Sequence, residues 1–315
     1  MKKLIATVLL GLGILQLVQA QSKTAVRAKI EGIFKPENNA VLTCAHRGDW
    51  RNAPENTLQA LYNSIEMGVD IMEVDLGKSK DGHLILMHDK TLDRTVKAKG
   101  KPGDYTLAEL KSFPVRNGTG HATHHRIPTF EELMLAAKDK IIINIDKGYQ
   151  YLDDVVEVLQ KTGTMDQAIL SINKNLPLDS VKAKHPNLPQ DLLIMPVIDF
   201  RDEQAASAAM ASYRSKKRVI YQLDFSNDTH PLLNMVPALK KEGNGVWYNS
   251  IWPELSGGHH DDKAVDESKP DESWGWLVKK DADVIQTDRP FQLVNYLRKI
   301  NNGKVNAEKQ NGGRR

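Results

Sequence analysis

The sequence predicts an α/β chain folded as a variant of the (β/α)8 TIM barrel, with a small subdomain inserted after the second/third strand region. Three observations predict it. Short apolar runs alternate with helical patterns between Val41 and Thr287, which implies a largely parallel sheet. The 315 residues suit one barrel of about 250 residues with additional ends. Charged and polar residues also collect where the apolar runs stop, and a barrel of this kind gathers its site at the C-terminal ends of its strands.

Residues 1–20 read as a secretory signal peptide: Lys2 and Lys3, an apolar stretch from Leu4 to Val18, and Val18-Gln19-Ala20 as the cleavage site. The apolar stretch is short for a membrane span and is broken by Gly11, Gly13 and Gln16, so no stable membrane anchor is expected. Export to a periplasm or the medium follows. Residues 21–40 form a polar lead-in segment, 41–300 the barrel domain, and 301–315 a disordered basic tail. Cys44 is the only cysteine, so an exported product has no internal disulfide. Its apolar neighbours, VLTCAH, suit a buried thiol acting as a small hydrophobe.

Within the barrel domain, Val41–Ala45 is a strand covered on both faces. Pro54-Glu55-Asn56-Thr57 opens a helix with Leu58, Leu61, Tyr62 and Ile65 at helical spacing, and Gly68 closes it. Two strand-like runs then flank Asp81-Gly82, a hairpin signal, and a two-residue turn there sets His88 directly opposite Asp75. Residues 90–126 lose the pattern and read as a capping insertion, with one helix at Leu107–Ser112 and a polar loop carrying His121, His124 and His125. Helices Phe130–Lys138, Tyr151–Thr162 and Glu203–Ser215 alternate with strands Ile141–Asp146, Ala168–Ile172, Leu192–Ile198 and Val219–Phe225. Val246–Ile251 and Val284–Thr287 complete the series. Nine strand-like runs compete for eight barrel seats, and the hairpin is the suspect, because six linking residues cannot make a parallel crossover.

The chemistry concentrates in VDIMEVDLGKSKDGHLILMHD, residues 69–89. As a strand, it points Ile71, Glu73 and Asp75 to one face, and two carboxylates on an otherwise apolar face are costly to bury without a cation. His46 and Arg47 follow the first strand, and Asp146-Lys147 ends another; Asn249 and Asp288 mark two late strand ends. Three carboxylates without a cysteine cluster suggest one hard divalent cation on oxygen ligands, Ca²⁺ or Mg²⁺. Two histidines beside such a cation suit phosphoryl-ester cleavage, one taking a proton from the attacking oxygen and the other giving one to the leaving oxygen. The cation and the Arg47 guanidinium would offset charge on the phosphoryl oxygens. The formal charge of +3 resides in the two ends, which leaves the body mildly acidic, so no nucleic-acid partner is indicated.

HRGDW…APENTLQAL, EVDLGKSKDGHLILMHDKTLDRT and the late ADVIQTDRP together closely resemble the glycerophosphodiester phosphodiesterase family, over about Val41 to Ile300. The resemblance implies a variant (β/α)8 barrel that cleaves glycerophosphodiesters to glycerol 3-phosphate and an alcohol with a divalent cation. It implies His46 and His88 as the acid/base pair, Glu73 and Asp75 as metal ligands, and Arg47 and Glu55 in substrate binding. For Glu55 a first-turn acid favoured by the helix dipole is the other reading. Two departures stand out. Asp146 occupies the place of a usual glutamate ligand, and Lys147 follows it immediately instead of two residues on, which directs it away from the mouth unless the strand has ended. Asp146 is retained as a metal ligand and Lys147 as a phosphate contact. Trp247, with Tyr248, is placed as an aromatic wall for the glycerol end, with core packing as the other reading. Residues 253–273 form a polar loop at the ligand end, containing Gly257 to Asp262.

The rivals are phospholipase C- or D-like cleavage of an intact lipid, glycoside hydrolysis by paired carboxylates, and a catalytically silent binding protein on the same barrel.

Overall fold

The computed structural model describes residues 24–312, with side chains through residue 301. The signal-peptide reading of residues 1–20 therefore lies outside the described residues. A first helix, α1 (24–33), precedes β1 (Leu42–Ala45). The chain continues through α2 (Leu58–Met67), β2 (Ile71–Lys78), β3 (Leu84–Leu86), α3 (Leu107–Ser112), α4 (Phe130–Ala137) and β4 (Ile142–Asp146). Next come α5 (Leu152–Thr162), β5 (Ala168–Ile172), α6 (Leu178–Lys184), β6 (Leu193–Asp199), α7 (Glu203–Tyr213) and β7 (Ile220–Asp224). The last elements are α8 (Val236–Lys241), β8 (Gly245–Asn249), α9 (Asp261–Val265), α10 (Trp274–Lys279), β9 (Val284–Thr287) and α11 (Pro290–Gly312).

Eight strands pair in parallel in the order β1-β2-β4-β5-β6-β7-β8-β9, and β9 returns to β1, closing a barrel. The ninth strand-like run is β3. It pairs antiparallel with β2 outside the ring, which resolves the surplus. Its register differs from the expected one. Leu76 faces Leu86 and Lys78 faces Leu84, so Asp75 opposes Met87, whose N–H donates to the Asp75 carbonyl at 2.9 Å. The turn has three residues instead of two. Ser79 N–H donates to His83 O at 3.0 Å, and Gly82 takes φ +90°, the left-handed position such a loop requires. His88 is not locked opposite Asp75 but follows the end of β3, free of strand alternation.

Two apolar layers hold the barrel. Outward residues such as Met72, Val74, Ile143, Leu170, Tyr221 and Tyr248 pack under the surrounding helices. Inside, Cys44, Ile71, Ile142, Ile169, Ile220 and Trp247 form a second cluster, joined from below by Val26, Ile30 and Ile33 of α1. The lead-in segment thus contains a helix, residues 24–33, that plugs the barrel floor. Its apolar residues already stood at i, i+4 and i+7 in the sequence. A Cβ on Gly245, the first residue of β8, would collide with Ile33, so glycine there lets the plug seat.

Helix ends follow local signals. Thr57 caps α2, its hydroxyl accepting from Ala60 N–H, and Gly68 closes it at φ +79°. Thr106/Glu109 and Thr129/Glu132 form capping boxes on α3 and α4. Residues Leu92, Val96, Leu110 and Val115 pack with Ile85, Met87 and Ile127 into a separate small cluster over β3. The backbone of α11 runs to Gly312, past residue 300 where a disordered tail was expected; the run Ala307-Glu308-Lys309-Gln310 contains good helix formers and no proline. Among the described residues no helix is long and apolar enough to cross a membrane.

Candidate active site

Inward positions change character along the strands. Below lie Ile71, Ile142, Ile220 and Val284; two residues on come Glu73, Asn144, Gln222 and Gln286, and then Asp75, Asp146 and Asp224. These upper residues, with His46, Arg47 and His88, line a cavity of about 420 Å³ at the mouth.

On its β2–β4 side Glu73, Asp75 and Asp146 each bring a carboxylate oxygen within 4.8 Å of the other two. The parallel pairing of β2 with β4 places Asp75 beside Asp146. Glu73 and Asp75 are buried. Burial, then the neighbouring charges of Asp75 and Asp146, push Glu73 well above the usual carboxylate range. Burial and Asp75 raise Asp146 likewise. Burial would raise Asp75 too, but Lys147, His88 and Arg47 outweigh it and hold its carboxyl low. An all-oxygen set of three carboxylates, with two of them driven toward protonation by burial first and by the neighbouring carboxylates second, fits a hard divalent cation. No other cluster of this kind occurs among the described residues, so neither the His121–His125 loop nor the His259–Asp262 segment forms one.

Asn56 of the PENT segment grips Asp75 twice: its Nδ2 donates to Asp75 Oδ2 at 2.9 Å, and its Oδ1 accepts from Asp75 N–H at 3.1 Å. The turn after β1 is unusual. Arg47 sits at φ +56° and Gly48 at +75°. That left-handed Arg47, a conformation side chains rarely adopt, aims its N–H at Glu73 Oε2 at 2.7 Å. Its Nε donates to His46 Nε2 at 3.2 Å, its Nη1 donates to Glu55 Oε1 at 3.1 Å, and Nε lies 3.6 Å from Asp75.

His46 is held from both sides. An arginine can only donate, so Nε2 accepts, and Nδ1–H donates to Asp288 Oδ1 at 2.8 Å. Burial alone would raise Asp288, yet the bonds from His46 and from Trp50 Nε1 keep it below the ordinary range. His88 is tied differently. Its Nδ1–H donates to Asp89 Oδ1 at 2.6 Å, and its Nε2 lies 4.0 Å from Asp75 Oδ1. Arg94, from the insertion, bridges Asp89 and Glu55 through both carboxylates.

Lys147 resolves the parity problem. Strand β4 ends at Asp146, and Lys147 turns left-handed at φ +58°, which swings its ammonium to 3.0 Å from Asp75 Oδ1 and 2.6 Å from the His88 carbonyl. Glu55 lies before α2, which has no acid in its first turn, so the helix-dipole reading fails. Its carboxylate is spanned by Arg47 and Arg94 and is 12% exposed.

Trp247 requires a correction. It points inward but one layer below Asn249, is fully buried against the α1 plug, and donates from Nε1 to Gln286 Oε1 at 3.2 Å. It cannot touch a ligand in the cavity. Tyr248 faces the outer layer. The aromatic at the mouth is Trp252, half exposed and edge-on to His46 at 6.4 Å between ring centres. The sequence reading also missed Asp89, Arg94 and Asn56. Asp89 adjoins His88 and Asn56 adjoins Glu55, whereas Arg94 sits in a stretch with no pattern to flag it.

Across the mouth, Asp224 is buried, and burial pushes it up to about 6 against the opposing pulls of Gln222 and Lys174. In residues 253–273, Asp261 accepts from Ser250, Trp274, Thr287 and the Asp288 N–H, tying that loop to the end of β9.

A model of the glycerophosphoryl diester phosphodiesterase family matches residues 46–220, and one of a domain of unknown function matches residues 194–297. The chain is 29% identical over 269 residues to a glycerophosphodiester phosphodiesterase of Caldanaerobacter subterraneus subsp. tengcongensis, covering 82% of this chain and 98% of that one. Among solved structures it resembles a glycerophosphoryl diester phosphodiesterase from Parabacteroides distasonis, with TM-score 0.70 and 21% identity over 87% of this chain and 92% of the other. An Oleispira antarctica phosphodiesterase in complex with the product sn-glycerol-3-phosphate matches at TM-score 0.56 and 20% identity, covering 84% and 98%. At these identities the structural likenesses concern the fold.

Proposed function

Given that the chain belongs to the glycerophosphoryl diester phosphodiesterase family and is an enzyme of that activity, we propose that it hydrolyses glycerophosphodiesters to glycerol 3-phosphate and an alcohol with the help of one divalent cation. The observation that carries this reading is the convergence of Glu73, Asp75 and Asp146 within 4.8 Å, under two imidazoles that line the same cavity. These three carboxylates would hold Ca²⁺ or Mg²⁺. Bound there, the cation supplies charge neutralisation for the phosphoryl group.

The residues divide the remaining work. His46, whose Nε2 carries the lone pair while Asp288 holds Nδ1–H, serves as the base and takes the proton of the attacking oxygen. In its protonated form His88 faces a carboxylate at each ring nitrogen, Asp89 and Asp75, and it serves as the acid that gives a proton to the departing alcohol oxygen. Arg47 shifts its N–H groups from His46 Nε2 to phosphoryl oxygens when substrate enters, and Lys147 adds a second positive charge at that rim. In-line displacement puts base and acid on opposite sides of phosphorus. With the glycerol 2-hydroxyl as the attacking oxygen, the glycerol end lies on the His46 side, towards Trp252, Asn249 and Asp224. The alcohol leaves past His88 with the proton it receives there, and water then opens the cyclic phosphate to glycerol 3-phosphate.

We also propose that the protein is exported after cleavage near Ala20, on the strength of the first twenty residues alone. The test of the function is release of glycerol 3-phosphate from glycerophosphocholine and glycerophosphoinositol with Ca²⁺, with Mg²⁺ and with chelator. Cation-dependent release supports the reading. Cleavage of the parent lipids in preference to these diesters refutes it.

A further inference from the structure

We infer that the alcohol half of the substrate lies in a second, lysine-lined groove beside His88, and that the preferred alcohol carries an additional phosphate group. This rests on the function proposed above and on the placing of His88 as the acid.

The groove opens between β2 and the capping insertion and has a volume of about 1000 Å³, more than twice that of the mouth cavity. His88 lines both spaces, so the two meet at the imidazole proposed to protonate the leaving oxygen. On the proposed mechanism an alcohol departing past His88 leaves on the side of the imidazole that faces the groove.

Its walls are conspicuous in a chain whose barrel body is mildly acidic. Lys78, Lys90, Lys101 and Lys147 all line it, against only two carboxylates, Asp89 and Asp104. Asp89 is bound by Arg94 and His88, which leaves Asp104, whose Oδ2 accepts the Lys101 backbone N–H at 2.9 Å, as the one carboxylate of the lining without a cationic side-chain partner among the described residues. Two of the lysines are engaged, Lys78 with Asp154 at 2.7 Å and Lys147 with Asp75 at 3.0 Å. Lys90 and Lys101 are exposed and have no acidic partner within ion-pairing distance among the described residues.

Two free ammoniums at a groove with a net positive lining repel a choline or ethanolamine head and attract an anion. Phosphate is the anion that suits them, since an ammonium binds it as a point charge without needing a bidentate fork. The groove floor adds Tyr151 and Pro102 as a wall for the carbon skeleton between the two phosphates.

The experiment compares kcat/KM for glycerophosphoinositol 4-phosphate, glycerophosphoinositol and glycerophosphocholine, in the wild type and in a Lys90→Glu/Lys101→Glu double variant. Both positions are exposed, so the variant folds. In the wild type the phosphorylated ester is preferred over its unphosphorylated parent by roughly tenfold, the scale of one or two charge-assisted contacts. That ratio collapses toward one in the double variant and in about 0.5 M salt, where exposed charges are screened. Equal rates for the three esters, or a preference that survives the double variant, overturns the inference while leaving the phosphodiesterase reading in place. Absence of turnover on all three esters overturns that reading itself.

Discussion

Along β2 the inward residues read Ile71, Glu73, Asp75; along β4, Ile142, Asn144, Asp146; along β7, Ile220, Gln222, Asp224. The lower end of the barrel interior and its mouth are thus built from the same strands at the same parity, two or four residues apart. At the lower end the apolar side chains pack with α1 into one buried cluster. At the mouth the same positions carry carboxylates and amides whose burial is unfavourable unless a ligand or cation meets them. The lower end supplies stability, and the mouth spends part of it on chemistry. Substitutions at the two ends should therefore separate activity from stability.

The largest effect should come from the imidazoles. His46→Ala or His88→Ala should lower kcat by about 10³-fold, within the range for lost general acid or base catalysis, with the unfolding midpoint in urea little changed. Near-normal turnover in either variant would remove that histidine from the mechanism.

At the lower end the pattern inverts. Trp247→Ala should destabilise the fold by roughly 3–5 kcal/mol, as for a fully buried large aromatic, while KM of the protein that remains folded stays close to wild type. A specific rise in KM would put Trp247 back into substrate binding.

Asp224 sharpens the contrast, because there the burden of the mouth can be read as a pH dependence. Burial raises its folded value to about 6, above an unfolded value near 3.9. The folded state therefore binds more protons between those values, and its stability falls as pH rises through that window. Asp224→Asn removes this loss. The variant should gain roughly 2 kcal/mol of stability over wild type between pH 4.5 and 7.5 and should bind the glycerol end more weakly. A stability difference that stays flat with pH would contradict this account.

The smallest effect concerns the link from the insertion to the site. Arg94→Lys keeps the charge but loses the fork that joins Glu55 and Asp89. Activity should fall by about tenfold or less, equivalent to one charge-assisted contact, with the fold intact. Full activity would make Arg94 a surface ion pair.

Much of this contrast was legible in the residues. Parity alone placed Glu73 and Asp75 on the inner face with Ile71, and the alternation of runs and helices foretold the barrel. The over-count at the hairpin was legible too, since six residues cannot cross over. What escaped were features decided by single backbone residues or by distant packing. A third loop residue at Gly82 shifted the hairpin register, and a left-handed Lys147 re-aimed a side chain that strand parity sent the wrong way. Trp247 has the parity of a site residue, and only the depth of its layer beneath Asn249 buries it. That depth depends on α1 filling the floor from another part of the chain.

The most direct measurement is calorimetric titration of chelator-treated protein with Ca²⁺ and with Mg²⁺, alongside glycerol 3-phosphate release at each point. The account predicts one cation per chain, activity that rises with its binding, and loss of both in Glu73→Gln and Asp75→Asn. Full turnover by metal-free protein, or undiminished binding in those two variants, would contradict it.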